Sequence, residues 1–104
     1  MVKLSLPGFQ LYLSKQKMMI LFAEFLGTFA LLSAILFTGS ALWIGTTLAF
    51  IIYTIGSISG GHVNPAVSLA FYLKGSLNMT DFLSYVGAQA AGAAAALYAY
   101  NMLV

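Results

Sequence analysis

The sequence predicts an all-α membrane protein with three transmembrane helices and one re-entrant half-helix. Two observations carry this. Of 104 residues, 62% are hydrophobic and only 6% carry charge, where a soluble domain averages roughly 25% charged. The apolar residues also fall into three runs of spanning length, and a fourth segment is broken by glycines and an Asn-Pro pair. The chain has no cysteine, one histidine, two carboxylates and a net charge of +2. That excludes a disulfide scaffold and a thiolate metal site. It leaves almost no material for an acid–base or metal-dependent active site, so no enzyme and no cofactor is expected. The lysines form no cluster suited to nucleic acid.

A spanning helix needs about 20 apolar residues. Residues 18–37 supply the first, interrupted only by Glu24. Thr38-Gly39-Ser40 reads as a turn, residues 41–58 as the second span, and the alanine- and glycine-rich residues 82–104 as the third. Residues 1–17 lack the apolar core and cleavage site of a signal peptide. With Leu4, Leu6, Phe9, Leu11 and Leu13 they are expected to lie at the cytoplasmic interface. Without an internal repeat or linker, residues 1–104 read as a single membrane domain.

Lysine placement predicts the orientation. Lys3, Lys15, Lys17 and Lys74 share one side, and the other side has no lysine or arginine. Cytoplasmic loops carry the Lys/Arg excess, so the N-terminus of this multi-pass chain is expected in the cytoplasm, with the protein in a plasma or inner membrane. Trp43, Tyr98 and Tyr100 are expected near the outer interface and Tyr12, Tyr72 and Tyr85 near the inner one, leaving Tyr53 deep.

Residues 59–75 carry the chemistry. Asn is a favoured N-cap and Pro a favoured first helical residue, so Asn64-Pro65 marks a helix start. The helix would end near Lys74, about 15 Å on, or half a bilayer. Non-helical backbone at that depth is tolerated only where protein buries it or where it lines a water-filled cavity. Asn64 would cap the half-helix and aim its amide hydrogens into that cavity, beside the positive end of the helix dipole. Carbonyls of Gly60, Gly61 and His62 would supply acceptors for water or an alcohol. The bland alternative is a surface turn, which the two glycines and the ten-residue apolar helix fit less well.

Ser59–Ser68 (SGGHVNPAVS) resembles the SGxHxNPAV(T/S) signature of the aquaporins, the major intrinsic proteins. Ala23–Phe29 (AEFLGTF) resembles their first-helix motif, and Ala88-Gln89-x-x-Gly92-Ala93 their third-helix pattern. The resemblance implies half of an aquaporin-like inverted repeat, since members carry six spans and two such loops meeting at the midplane. It implies Asn64, Pro65 and Ala66 as the pore motif, with Glu24 and Gln89 as anchors of the loop. Glu24, the one charge inside a span, also admits a proton-coupled role. His62 reads as a hydrogen-bonding group at the pore mouth, not a metal ligand. Ala88, Gly92 and Ala96 read as a close helix–helix contact.

Two departures from the family pattern matter. The second NPA loop is missing, and with it the arginine that follows it; the corresponding position here is Val67. The aromatic filter position falls on Ile44, beside Trp43. Such an apolar constriction predicts relaxed selectivity, admitting glycerol-like solutes as well as water. Three spans put the two ends of the chain on opposite faces, so a complementary half must be inverted. An inverted homodimer, alone or within a higher oligomer, is slightly preferred to a separate complementary half because it needs no unseen component. The lysine bias opposes free dual insertion, whereas a third span of full length opposes random truncation. The rivals are a proton-coupled small multidrug exporter using Glu24 and a holin-like or nonconducting membrane partner.

Overall fold

A computed structural model describes residues 7–104, which form four helices, α1 (Pro7–Thr38), α2 (Ala41–Ser59), α3 (Pro65–Lys74) and α4 (Met79–Leu103). Lys3, Leu4 and Leu6 lie outside the described residues. Both α1 and α2 are long and apolar enough to cross a membrane. Helix α1 spans about 48 Å at 1.5 Å per residue, longer than the expected first span. Residues 7–17 form its first turns, continuous with the expected first span. Pro7 is tolerated at a first helical position, and no proline follows it to break the run.

Each boundary has a local cause. Gly39 takes φ +59°, a left-handed conformation in which glycine avoids the Cβ penalty, and so turns the chain after α1. The Ser40 hydroxyl accepts from Trp43 N–H to cap α2. Asn64 Oδ1 accepts from Ala66 N–H at 2.8 Å, with Pro65 in the first turn of α3. Asn78 Oδ1 caps α4 through Asp81 N–H at 2.7 Å.

Helix α1 packs against both α2 and α4, and α3 rests on α4. The buried row of α4 is Tyr85, Gln89, Gly92 and Ala96. At Gly92 the helices nearly touch: a Cβ there would stand 2.5 Å from the Phe25 carbonyl oxygen. Ala88, placed in the same contact by its spacing, is half-buried. Much of the protein's interior is polar. Glu24, Thr28, Ser59, His62, Ser68 and Gln89 are buried, while Leu42, Phe50 and Tyr53 of α2 face outward, Tyr53 at 87% exposure. This suits a chain surrounded by lipid, where apolar side chains need no shelter and polar ones do.

Candidate functional site

Between α2 and α3 the chain runs as the non-helical segment Gly60–Asn64, tied to the backbone of these helices only at its ends, where Gly60 N–H donates to the Gly56 carbonyl and the Asn64 carbonyl accepts from Ser68 N–H. Three of its residues have positive φ: Gly60 at +90°, Gly61 at +61° and Val63 at +44°. For a β-branched residue such as Val63 this is a strained conformation, costing about 1–3 kcal/mol, and it persists only if the surroundings impose it.

Glu24 imposes it. Its carboxylate, with no exposed surface, accepts four hydrogen bonds. Oε1 receives Val63 N–H at 2.8 Å and Gln89 Nε2 at 3.1 Å. Oε2 receives the Ser59 hydroxyl at 2.7 Å and His62 N–H at 3.0 Å. Ser59 Oγ in turn accepts from Gly61 N–H at 3.2 Å. Two consecutive backbone donors thus end on one side chain of α1, which satisfies the groups a non-helical segment would leave unpaired.

Gln89 extends the network by donating to Ser68 Oγ at 2.9 Å, and Ser68 lies 2.8 Å from His62 Nδ1. The His62 ring is held between Phe71 and Tyr85, with both ring centres 4.7 Å away. The Tyr85 hydroxyl donates to the Ser59 carbonyl at 2.7 Å. Tyr85, expected at the inner interface from its distance along α4, is a buried member of this cluster. Position along a helix shows depth, but not which face turns inward.

Gly27 provides the room for Val63. A Cβ at Gly27 would lie 2.7 Å from Val63 Cγ1 and 2.9 Å from Ile55 Cδ1. Gly27→Ala is therefore expected to destabilise the chain by about 1–3 kcal/mol through overpacking. Gly45→Ala is the control, since a Cβ there meets nothing within 4 Å. Thermal unfolding of both variants in detergent checks this, and equal midpoints would refute it.

On the far side of the loop lies an open groove of about 260 Å³. Gly60, Gly61, His62 and Asn64 give it a polar edge, and Leu31, Leu48, Ile52, Val63, Val67 and Phe71 an apolar wall. Asn64 and Ala66 are exposed, Gly61 and His62 are buried, and Pro65 opens α3. Ile44 is half-buried and lies outside this lining, about one turn beyond Leu48. Leu48 and Ile52 continue the same helical face from Ile44, so their periodicity was a usable signal. Leu31 and Phe71 had none, because their place depends on how α1 and α3 pack.

This is a helical membrane fold whose polar core holds a strained loop and a capped half-helix at the edge of a groove. Residues 12–103 match the Major intrinsic protein family, and the chain belongs to that family of integral membrane proteins. It is 45% identical over 89 residues to Aquaporin Z of Brucella melitensis, an alignment covering 71% of this chain and 39% of the relative. It is 37% identical over 91 residues to Glycerol uptake facilitator protein-like 6 of Lactiplantibacillus plantarum, covering 79% and 42%. With the Lens fiber major intrinsic protein of Gallus gallus it shares 46% over 57 residues, covering 55% and 22%. The chain thus spans less than half the length of these relatives.

Proposed function

We propose that this chain forms half of a passive channel for water and small uncharged solutes. In this reading α1, α2 and α4 cross the bilayer with the N-terminus cytoplasmic, and residues 59–75 form a re-entrant element. Asn64 is the central donor, since its Oδ1 is committed to Ala66 N–H and its amide hydrogens remain for a solute. Carbonyls of Gly60, Gly61 and His62 serve as acceptors along the path. Pro65 and Ala66 set the half-helix, Val67 belongs to the apolar side, and Ile44, outside the groove lining, would extend that side along the same face of α2. Glu24 and Gln89 hold the loop.

The observation that carries this reading is the groove itself: one polar edge, an apolar wall, and no charged side chain in its lining. Such a lining exchanges hydrogen bonds with a neutral solute and offers an ion no counter-charge. The groove is open along one side and needs a complementary half, for which an inverted second copy is preferred to a different protein. A proton-coupled role for Glu24 fits less well, because its two oxygens are already committed to four donors inside the fold.

The test is osmotic shrinkage of liposomes holding this chain alone. Fast shrinkage is expected from the unaltered chain, and shrinkage close to that of bare lipid from Asn64→Leu. Asn64→Asp should keep water flux and raise cation leak, because it places a carboxylate at the dipole's positive end. Equal flux from the unaltered chain and Asn64→Leu would remove Asn64 from the mechanism. Flux no faster than bare lipid would overturn the self-paired pore. The chain has no native cysteine, so a single cysteine at Ser40 reports orientation directly. Labelling from both faces is expected if copies pair inverted.

A further inference from the structure

We propose that the groove between the start of α4 and the lysine-bearing part of α1 binds the headgroup of a phosphatidylethanolamine lipid. The groove has a volume of about 220 Å³; Lys17, Asp81, Ser84 and Tyr85 line it together with the apolar Ile20, Leu21 and Leu77. This inference uses the membrane location of the family and nothing of the pore reading.

The charged pair points to a zwitterion. Lys17 Nζ lies 3.6 Å from Asp81 Oδ1, beyond the usual ~2.7–3.2 Å of a hydrogen bond. The Asp81 side chain is only 34% exposed, and among the described residues no donor reaches its carboxylate at hydrogen-bonding distance. The carboxylate therefore keeps open acceptor positions beside its ion pair, where a charged N–H donor of a ligand would form a short, charge-assisted hydrogen bond. An ethanolamine ammonium brings three N–H donors, and its own phosphate is the natural partner of Lys17.

The apolar part matches the rest of the lipid. Ile20 and Leu21 lie about one turn beyond Lys17 along α1, toward Glu24 and the hydrophobic stretch, where the acyl chains begin. Ser84 donates its hydroxyl to the Thr80 carbonyl at 3.0 Å, so its oxygen remains an acceptor facing the groove. A phosphocholine headgroup fits the same charges but carries no N–H, and leaves the carboxylate without a donor. An anionic phosphatidylglycerol headgroup satisfies Lys17 and leaves Asp81 with no cation beyond that lysine.

The chain purified in detergent and titrated with dioleoyl phosphatidylethanolamine, phosphatidylcholine or phosphatidylglycerol tests this by native mass spectrometry. One phosphatidylethanolamine is expected to be retained roughly ten-fold more tightly than phosphatidylcholine, the difference of one charge-assisted hydrogen bond. Asp81→Asn should bring the two lipids to equal affinity, whereas Lys17→Gln should weaken both. Equal retention of all three lipids by the unaltered chain would overturn the proposal. So would tighter binding of phosphatidylglycerol, which marks mere attraction to a basic surface, or a preference that survives Asp81→Asn. If Asp81→Asn loses its helicity, the three-lipid comparison on the unaltered chain decides alone. Osmotic flux plays no part in the readout, so a failure here is distinct from a failure of the channel reading.

Discussion

Glu24→Ala is expected to release the Gly60–Asn64 loop and abolish flux, while leaving the long helices formed. The substitution strips four donors at once: the backbone N–H groups of His62 and Val63, the Ser59 hydroxyl and Gln89 Nε2. A buried donor left unpaired costs about 1–3 kcal/mol. The four share one network and do not add fully, so a loss of at least about 3 kcal/mol is expected. Val63 would have no reason to keep its positive φ, and α3 would lose the geometry that brings Asn64 to the groove. Circular dichroism should show nearly native helix content with a much lower unfolding midpoint, and liposome shrinkage should fall to the level of bare lipid.

Glu24→Gln separates charge from shape. Its amide keeps one acceptor oxygen but turns an NH2 toward two of the former donors. Partial stability and strongly reduced flux are expected. Full flux with a native midpoint in Glu24→Gln would show that the carboxylate's second oxygen is dispensable, contrary to the geometry described above.

Gly92→Val is the second substitution with a large effect. Even the first carbon of a side chain at Gly92 would stand 2.5 Å from the Phe25 carbonyl oxygen and 3.1 Å from Phe29 N. Both are backbone atoms of α1 and neither can swing away, so the helices must part. Overpacking of this kind costs about 1–3 kcal/mol for a modest insertion, and the two extra methyls of valine put this change at the upper end or beyond. Parting α1 from α4 also draws Gln89 away from Glu24, since Gln89 lies one turn before Gly92 on the same buried row. Reduced flux should therefore accompany the reduced stability. Gly87→Ala is the matched control: the same helix, nothing within 4 Å of the added carbon, and an unfolding midpoint unchanged or slightly raised because alanine favours helix. A Gly92→Val chain as stable as Gly87→Ala would mean that α1 and α4 pack less closely than described.

Much of this protein is legible in its residues alone. The shortage of charge and the long apolar runs determine a membrane protein, because no soluble fold can cover itself with so few polar side chains. Asn64-Pro65 marks the start of α3 and Gly39 the end of α1, since caps and positive φ are local properties of a few neighbouring residues. The family was legible in Ser59–Ser68, Ala23–Phe29 and the Gln89 motif, which lie far apart in sequence.

Tertiary structure decided what those marks do together. That Glu24 takes two consecutive loop N–H groups, that Val63 is held at positive φ against Gly27, and that Tyr85 turns inward to Ser59 are consequences of how α1, α2 and α4 approach one another. The same packing placed Leu31 and Phe71 in the groove wall and set Lys17 beside Asp81, pairs too distant in sequence for periodicity to connect. A helix's own period orders its faces, but it carries no information about the rotation of that helix against its neighbours. That rotation is chosen by where buried polar groups find partners and where glycines let backbones touch, which are properties of the assembled bundle.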